Sequence, residues 1–192
     1  MRLILATRNA HKVRELEPLL APHELALLPD EVELPPETGE TFAENALIKA
    51  RAAARATGRP AVADDSGIAA AALDGRPGVR SARYAGEDAT DEENLAKLLR
   101  EVSPDGDLHV AYECVLAYVD DAGELTAHGS CEGRLTHDTR GDAGFGYDPS
   151  FVPSDREDGR TMAELLPNEK DAISHRGRAA RALAERLREE RP

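Results

Sequence analysis

Two adjacent carboxylates, Asp64 and Asp65, follow the apolar triplet Ala61-Val62-Ala63 and precede Ser66-Gly67. Carboxylates side by side after an apolar run must be solvated, paired or metal-bound, because burying a bare charge is too costly. The apolar run predicts a short strand, which sets both carboxylates at the C-terminal edge of a sheet, where ligands gather in α/β folds. Their hard oxygens suit Mg²⁺, and Ser66 and Gly67 leave room for a phosphate to approach. The competing reading is an Asp-rich turn.

Four further polar stretches share this character. Thr7-Arg8-Asn9-Ala10-His11-Lys12 lies between an apolar run and a helical pattern. A strand-loop-helix junction presents backbone N–H groups and the positive end of a helix dipole to anions. The alternative is a plain helix cap by Asn9 with Lys12 in solvent. No Gly-Lys-Ser/Thr sequence of a P-loop is present there. In Thr38-Gly39-Glu40-Thr41-Phe42-Ala43-Glu44-Asn45-Ala46, Glu44 serves equally as capping-box partner of Thr41 and as site carboxylate. Asn45 and Lys49, four apart, share a helix face, and Glu37 is a further candidate acid.

Gly144-Phe145-Gly146-Tyr147-Asp148-Pro149 places two aromatics in a Gly-rich loop. They can stack on a purine or plug the loop into the core, and the two roles can divide between Phe145 and Tyr147. Asp148, before a proline, is expected to be extended. Ser174-His175-Arg176, with Lys170 nearby, offers donors to a base edge or a phosphate. Ser-His adjacency is no catalytic triad, since nucleophile and base must meet in space with a third orienting group. Of 24 basic side chains only four are lysine, and Lys12, Lys49 and Lys170 fall in or beside these stretches. Lysine is a compact point charge where arginine is a planar fork.

The elements that must position these groups follow from apolar spacing. Leu3–Ala6 and Leu25–Leu28 read as short buried strands, with Val13, Leu16, Leu19 and Leu20 forming a helix face between them. Thr41 with Glu44 opens an Ala-rich helix to about Ala56, and Thr90 with Glu93 opens another to about Glu101. Ile68–Leu73 reads as a separate strand. His109–Val119 and Leu125–Leu135 predict a long hairpin. Thr161–Leu166 predicts a short capped helix, and a last amphipathic helix runs from about Ser174 to Arg188. Early alternation of strands and helices with a late hairpin predicts an α/β fold. We expect a single domain over residues 1–192, with a mixed central sheet flanked by helices and two lobes with a nucleotide-binding cleft between them.

Composition bounds the function. A net charge of -13 argues against a partner that is a nucleic-acid polymer, which leaves a basic footprint, but allows a small phosphate ligand at a local positive cluster. No stretch approaches the roughly 20 apolar residues of a membrane span, and nothing reads as a signal peptide. Cys114 and Cys131 are expected to be free buried thiols, and a cytoplasmic location is the expectation.

All five stretches, in this order, resemble the inosine triphosphate pyrophosphatase family, also called the XTP/dITP diphosphatases. The similarity extends through Gly75-Arg76-Pro77-Gly78-Val79-Arg80-Ser81-Ala82-Arg83-Tyr84 and covers Leu3 to about Leu183. It implies an elongated α/β fold, a homodimer, a Mg²⁺ requirement and hydrolysis of ITP, dITP and XTP to monophosphate and pyrophosphate. It also implies roles for residues. Thr7, Arg8, Asn9, Ala10, His11 and Lys12 would bind the triphosphate, with Lys170 alongside. Asp65 would be proton acceptor and metal ligand, and Ser66 would touch the nucleotide. Phe145, Gly146, Tyr147 and Asp148, with His175 and Arg176, would read the base. One departure concerns the metal. Many relatives carry two acids before the Thr-Gly, where this chain has Pro36-Glu37, so the second metal carboxylate is Glu37, Glu44 or replaced by water. The alternatives are a pyrophosphatase for modified pyrimidine nucleotides and a nucleotide sensor without activity.

Overall fold

The computed structural model describes residues Met1–Arg191. In chain order the elements are β1 (Arg2–Leu5), α1 (Ala10–Leu19), β2 (Glu24–Leu27), α2 (Phe42–Thr57), β3 (Ala61–Ala70), α3 (Asp91–Glu101), β4 (His109–Asp120), β5 (Gly123–Leu135), β6 (Phe151–Pro153), α4 (Pro167–Ile173) and α5 (His175–Glu190). Short 3₁₀ turns cover Ala71–Leu73, Gly78–Arg83, Asp148–Ser150 and Met162–Glu164. The sheet order is β2-β1-β3-β4-β5-β6. β1 pairs in parallel with β2 and β3, and β5 pairs antiparallel with β6, so the sheet is mixed as expected.

Helix starts follow local chemistry. Thr41 with Glu44 and Thr90 with Glu93 each complete both bonds of a capping box. Gly58, in the left-handed region at φ 60°, closes α2.

The chain folds as two compact units. One comprises residues 1–65, 114–129 and Arg176 onward; the other comprises 66–113 and 130–175. The first unit has two aliphatic clusters. One gathers Leu3, Leu5, Leu16, Leu116 and Leu183, and the other Ile4, Ala46, Ala50 and Ala63. The second unit packs Ile68, Leu98, Tyr112, Leu135 and Phe151. Among the described residues no helix is long and apolar enough to cross a membrane. Both cysteines are buried thiols that form no disulfide, and burial pushes the Cys114 thiol up to about 12.

Three expectations change. β3 does not stop before the carboxylates: Asp64-Asp65-Ser66-Gly67 lies inside one ten-residue strand that continues to Ala70. The strand tolerates this polar run because cations meet the carboxylates and Gly67 admits its neighbours. A Cβ on Gly67 would collide with the Gly78 carbonyl and Ser81 Oγ. Asp148 is not extended but heads a 3₁₀ turn, because its carboxylate folds back to accept from the Phe145 N–H at 3.0 Å. The region before α5 holds an additional helix, α4, with Pro167 in its first turn.

Candidate active site

In the first unit, α1, α2, β3 and α5 bring charged side chains together. Asn9 caps α1, its Oδ1 accepting from the His11 and Lys12 N–H groups at 2.9 and 3.3 Å. Thr7 Oγ1 accepts from the Asn9 N–H at 3.1 Å. The cap expected as the alternative is therefore formed, but Lys12 is not in solvent. Its Nζ lies 2.9 Å from Asp64 Oδ2. The same oxygen accepts from Arg176 Nη2 at 3.3 Å, and Arg176 Nη1 also meets Glu15. Arg176 is only 1% exposed.

Adjacent carboxylates here behave oppositely. Burial opposes ionisation of Asp64, but Lys12, Arg176 and Lys49 outweigh it and hold the carboxyl well below the usual range. Burial raises the pKa of Asp65, Glu37 adds to the rise, and Lys49 and Lys12 only partly offset it. Asp65 Oδ1 lies 3.5 Å from Lys49 Nζ. Asp65 Oδ2 is buried with no hydrogen-bond partner among the described residues. The Asn45 amide favours the charged form of Asp65, although Asn45 Nδ2 also lacks a bond of standard geometry.

Lys49 Nζ binds Glu37 at 2.5 Å and so links Glu37 to Asp65. Burial works against the Lys49 charge, but Asp64, Asp65 and Glu37 raise its pKa overall. Glu44 is committed elsewhere: its Oε2 accepts from the Glu40 and Thr41 N–H groups at 2.7 and 3.1 Å. Among the described residues no three His, Cys, Asp or Glu side chains gather as a metal cage. Glu37 and Asp65 share the Lys49 ammonium.

Other members of the first stretch have local tasks. The Arg8 fork donates to the Leu28, Pro29 and Val32 carbonyls at 3.1, 2.9 and 3.0 Å, which pins the loop after β2. His11 Nδ1 meets Arg14 Nη2 at 2.8 Å, and Ala10 is exposed at the helix start.

In the second unit the Gly-rich loop is organised by Asp148. Its Oδ2 accepts from Lys170 Nζ at 2.8 Å and from the Phe145 N–H, and its Oδ1 accepts from the Tyr112 hydroxyl at 3.1 Å. Gly144, at φ 79°, is required because a Cβ would collide with that carboxylate. Lys170 Nζ lies 5.3 Å from the Phe145 ring centroid, a cation–π contact. Phe145 is half-buried, whereas Tyr147 is buried with its hydroxyl donating to the Ser81 carbonyl at 2.8 Å. Tyr147 thus takes the plug that the sequence allowed. The Gly146 N–H donates to Asp91 at 2.9 Å. His175 stacks on Tyr112 at 4.6 Å between centroids and 12° between planes. Ser66 follows Asp65 along β3 and is half-buried.

Sequence reasoning missed Glu15 and Tyr112. Glu15 reads as an ordinary helix-surface acid, and Tyr112 as one more apolar strand position. Only the tertiary partners reveal either.

The Ham1 family profile matches residues 3–186. A dITP/XTP pyrophosphatase from Shigella flexneri is 50% identical over 97% of this chain and 98% of its own. The structure of a HAM1 protein from Coxiella burnetii superposes with a TM-score of 0.87 at 45% identity, over 98% of this chain and 99% of that one. A nucleoside-triphosphatase, or dITP/XTP pyrophosphatase, from Mycobacterium abscessus gives 0.76 at 46% identity, over 95% of this chain and 98% of that one. With a profile match spanning nearly its whole length and relatives of this similarity, the chain belongs to the Ham1 family.

Proposed function

We propose that the protein hydrolyses non-standard purine nucleoside triphosphates, dITP, ITP and XTP, to the monophosphate and pyrophosphate. The observation that carries this reading is the contrast inside β3. Lys12 and Arg176 hold the Asp64 carboxyl well below the usual range, while burial raises the pKa of Asp65, whose Oδ2 has no hydrogen-bond partner among the described residues. A carboxylate poised above its usual pKa is suited to accept a proton near neutral pH. The names of the relatives support the substrate class.

In this reading Lys12 and Lys49 neutralise phosphate oxygens, and the α1 start holds the chain of phosphates. Asp65 orients the attacking water and takes its proton. Water adds to the α-phosphorus, the bond to the β-phosphate bridging oxygen breaks, and pyrophosphate leaves. Phe145 supplies a face for the base, and His175 supplies a donor to the 6-carbonyl. The role given to Arg176 is to hold Asp64, since its guanidinium is engaged by Asp64 and Glu15.

Asp65, through its unpartnered Oδ2, and Glu37 would hold a Mg²⁺ ion, a hard cation suited to one or two carboxylates. When bound it would draw charge from the phosphates. On the family resemblance we also propose a homodimer in the cytoplasm, the dimer checked by light scattering.

The test is a panel of triphosphates with Mg²⁺, scored by pyrophosphate release. A site of polar partners rejects mismatched analogues by up to roughly 10⁴–10⁵-fold, so dITP and XTP are expected to exceed dATP and dGTP in kcat/KM by at least about 10²-fold. Release of orthophosphate alone, preference for modified pyrimidines, or binding without turnover overturns the reading.

A further inference from the structure

The recognition loop of the second unit has a hub that lies outside every motif. Tyr112, in β4 and 6% exposed, touches both halves of the proposed base-reading group. Its hydroxyl donates to Asp148 Oδ1 at 3.1 Å. Its ring stacks on His175 at 4.6 Å and on Phe151 at 4.4 Å. Phe151 is fully buried and belongs to the same apolar cluster, so the Tyr112 ring is anchored from the core.

We propose that Tyr112 is a positioning residue for base selectivity, through two separable arms. The hydroxyl arm fixes the plane of the Asp148 carboxylate. That plane sets where Lys170 and the Phe145 N–H are held, because both donate to its other oxygen. The ring arm fixes the plane of the His175 imidazole. Hydrogen-bond discrimination between a carbonyl and an amino group depends on direction as well as distance. A donor free to turn would meet either group through water. The inference rests on the reading that His175 and the Phe145 loop contact the base.

Two substitutions separate the arms. Tyr112→Phe keeps the ring and removes one hydrogen bond to a carboxylate, so the ratio of kcat/KM for dITP over dATP is expected to fall about threefold to tenfold. Tyr112→Leu removes both arms, and the ratio is expected to fall by more than about tenfold. A purely structural loss would lower both substrates together and leave the ratio unchanged. Nuclear magnetic resonance of the His175 ring protons gives a second readout. Their upfield ring-current shift should persist in Tyr112→Phe and vanish in Tyr112→Leu.

A ratio within twofold of wild type in both folded variants overturns the inference. An unchanged His175 shift in Tyr112→Leu overturns the ring arm. If Tyr112→Leu does not fold, Tyr112→Phe decides alone: a lowered ratio supports the proposal and a ratio within twofold overturns it. Failure of the wild type to prefer dITP over dATP removes the underlying reading, whereas wild-type preference that survives both substitutions removes this inference only.

Discussion

Both units bury aspartate against lysine, but in different surroundings. In the first, Asp64 and Asp65 sit amid Lys12, Lys49 and Arg176, and ion pairs organise the group. In the second, Asp148 has donors on both oxygens, and aromatic rings surround the group. The first arrangement leaves Asp65 with an open, buried oxygen. The second fixes directions and leaves Asp148 no open oxygen. The difference teaches that a buried ion pair by itself indicates neither catalysis nor recognition. What separates the two carboxylates is geometry: donors fix both oxygens of Asp148, whereas Asp65 Oδ2 has no hydrogen-bond partner among the described residues. Buried charges are costly to hold, and the first unit concentrates that cost where phosphates are proposed to bind.

The sharpest way to break the comparison is within β3. Asp65→Asn should lower turnover by roughly 10²–10⁴-fold, the usual worth of a positioned proton acceptor. It should leave stability unchanged or raised, because the fold disfavours the charge of Asp65. Asp64→Asn should do the reverse in stability terms. It removes the carboxylate shared by Lys12 and the buried Arg176, leaving Arg176 only Glu15, and breaking such a pair costs up to about 3–5 kcal/mol. Urea unfolding of both variants beside a pyrophosphate assay checks the pair. Equal destabilisation by the two would end the division of labour.

Arg176 tests the boundary between the units, since it follows His175 directly. Its guanidinium serves Asp64, so Arg176→Met should lower dITP and dATP turnover by the same factor, at least about tenfold for a broken charged hydrogen bond. His175→Ala should instead lower dITP turnover more than dATP turnover. A changed ratio in Arg176→Met would move base reading into the first unit.

The pH dependence of stability separates the two carboxylates again. In the metal-free protein, Asp65 has a folded pKa above its unfolded value of 3.8. The native state then binds more protons, so this contribution is present below 3.8 and lost as pH rises through the folded pKa. Asp64 has a lowered folded pKa, so its contribution is present above 3.8 and lost as pH falls through the folded pKa. The stability gain of Asp65→Asn over wild type should therefore grow with rising pH above 3.8. The deficit of Asp64→Asn should shrink only on the acid side. Urea midpoints at a series of pH values give both curves.

Legibility in the sequence followed the range of the interactions. The capping boxes at Thr41 and Thr90 were readable because both partners lie three residues apart. The α/β class and the mixed sheet followed from the early alternation of strands and helices with a late hairpin. The continuity of β3 was not readable, because the polar run Asp64 to Gly67 is tolerated through tertiary partners that include Lys12, Lys49 and Arg176, the last 112 residues away from Asp64. The turn at Asp148 was hidden by Pro149, whose usual effect on the preceding residue is opposed by the contact with the Phe145 N–H. Glu15 and Tyr112 gave no signal, since neither residue type is unusual on a helix or in a strand. The catalytic candidates were legible as motifs, but their supports were not.

The smallest expected effect contrasts two tyrosines of the second unit. Tyr147 and Tyr112 are both buried, and each hydroxyl makes a hydrogen bond to the protein. Tyr112 reaches a carboxylate that organises Phe145 and Lys170, whereas Tyr147 reaches the backbone carbonyl of Ser81. Burial pushes the Tyr147 hydroxyl far above its ordinary pKa, with Tyr84 and Asp91 adding to the rise, so it stays a neutral donor at any working pH. Tyr147→Phe keeps the ring in the apolar cluster and leaves one carbonyl short of a donor. The loss should be about 1 kcal/mol, the net worth of a neutral hydrogen bond. Thermal or urea unfolding would read it directly. The dITP-to-dATP ratio should stay within about twofold, well under the factor of ten that 1.4 kcal/mol represents. If Tyr147→Phe instead shifts the ratio as far as Tyr112→Phe does, selectivity depends on general rigidity of the loop and not on the direction in which Asp148 and His175 are held.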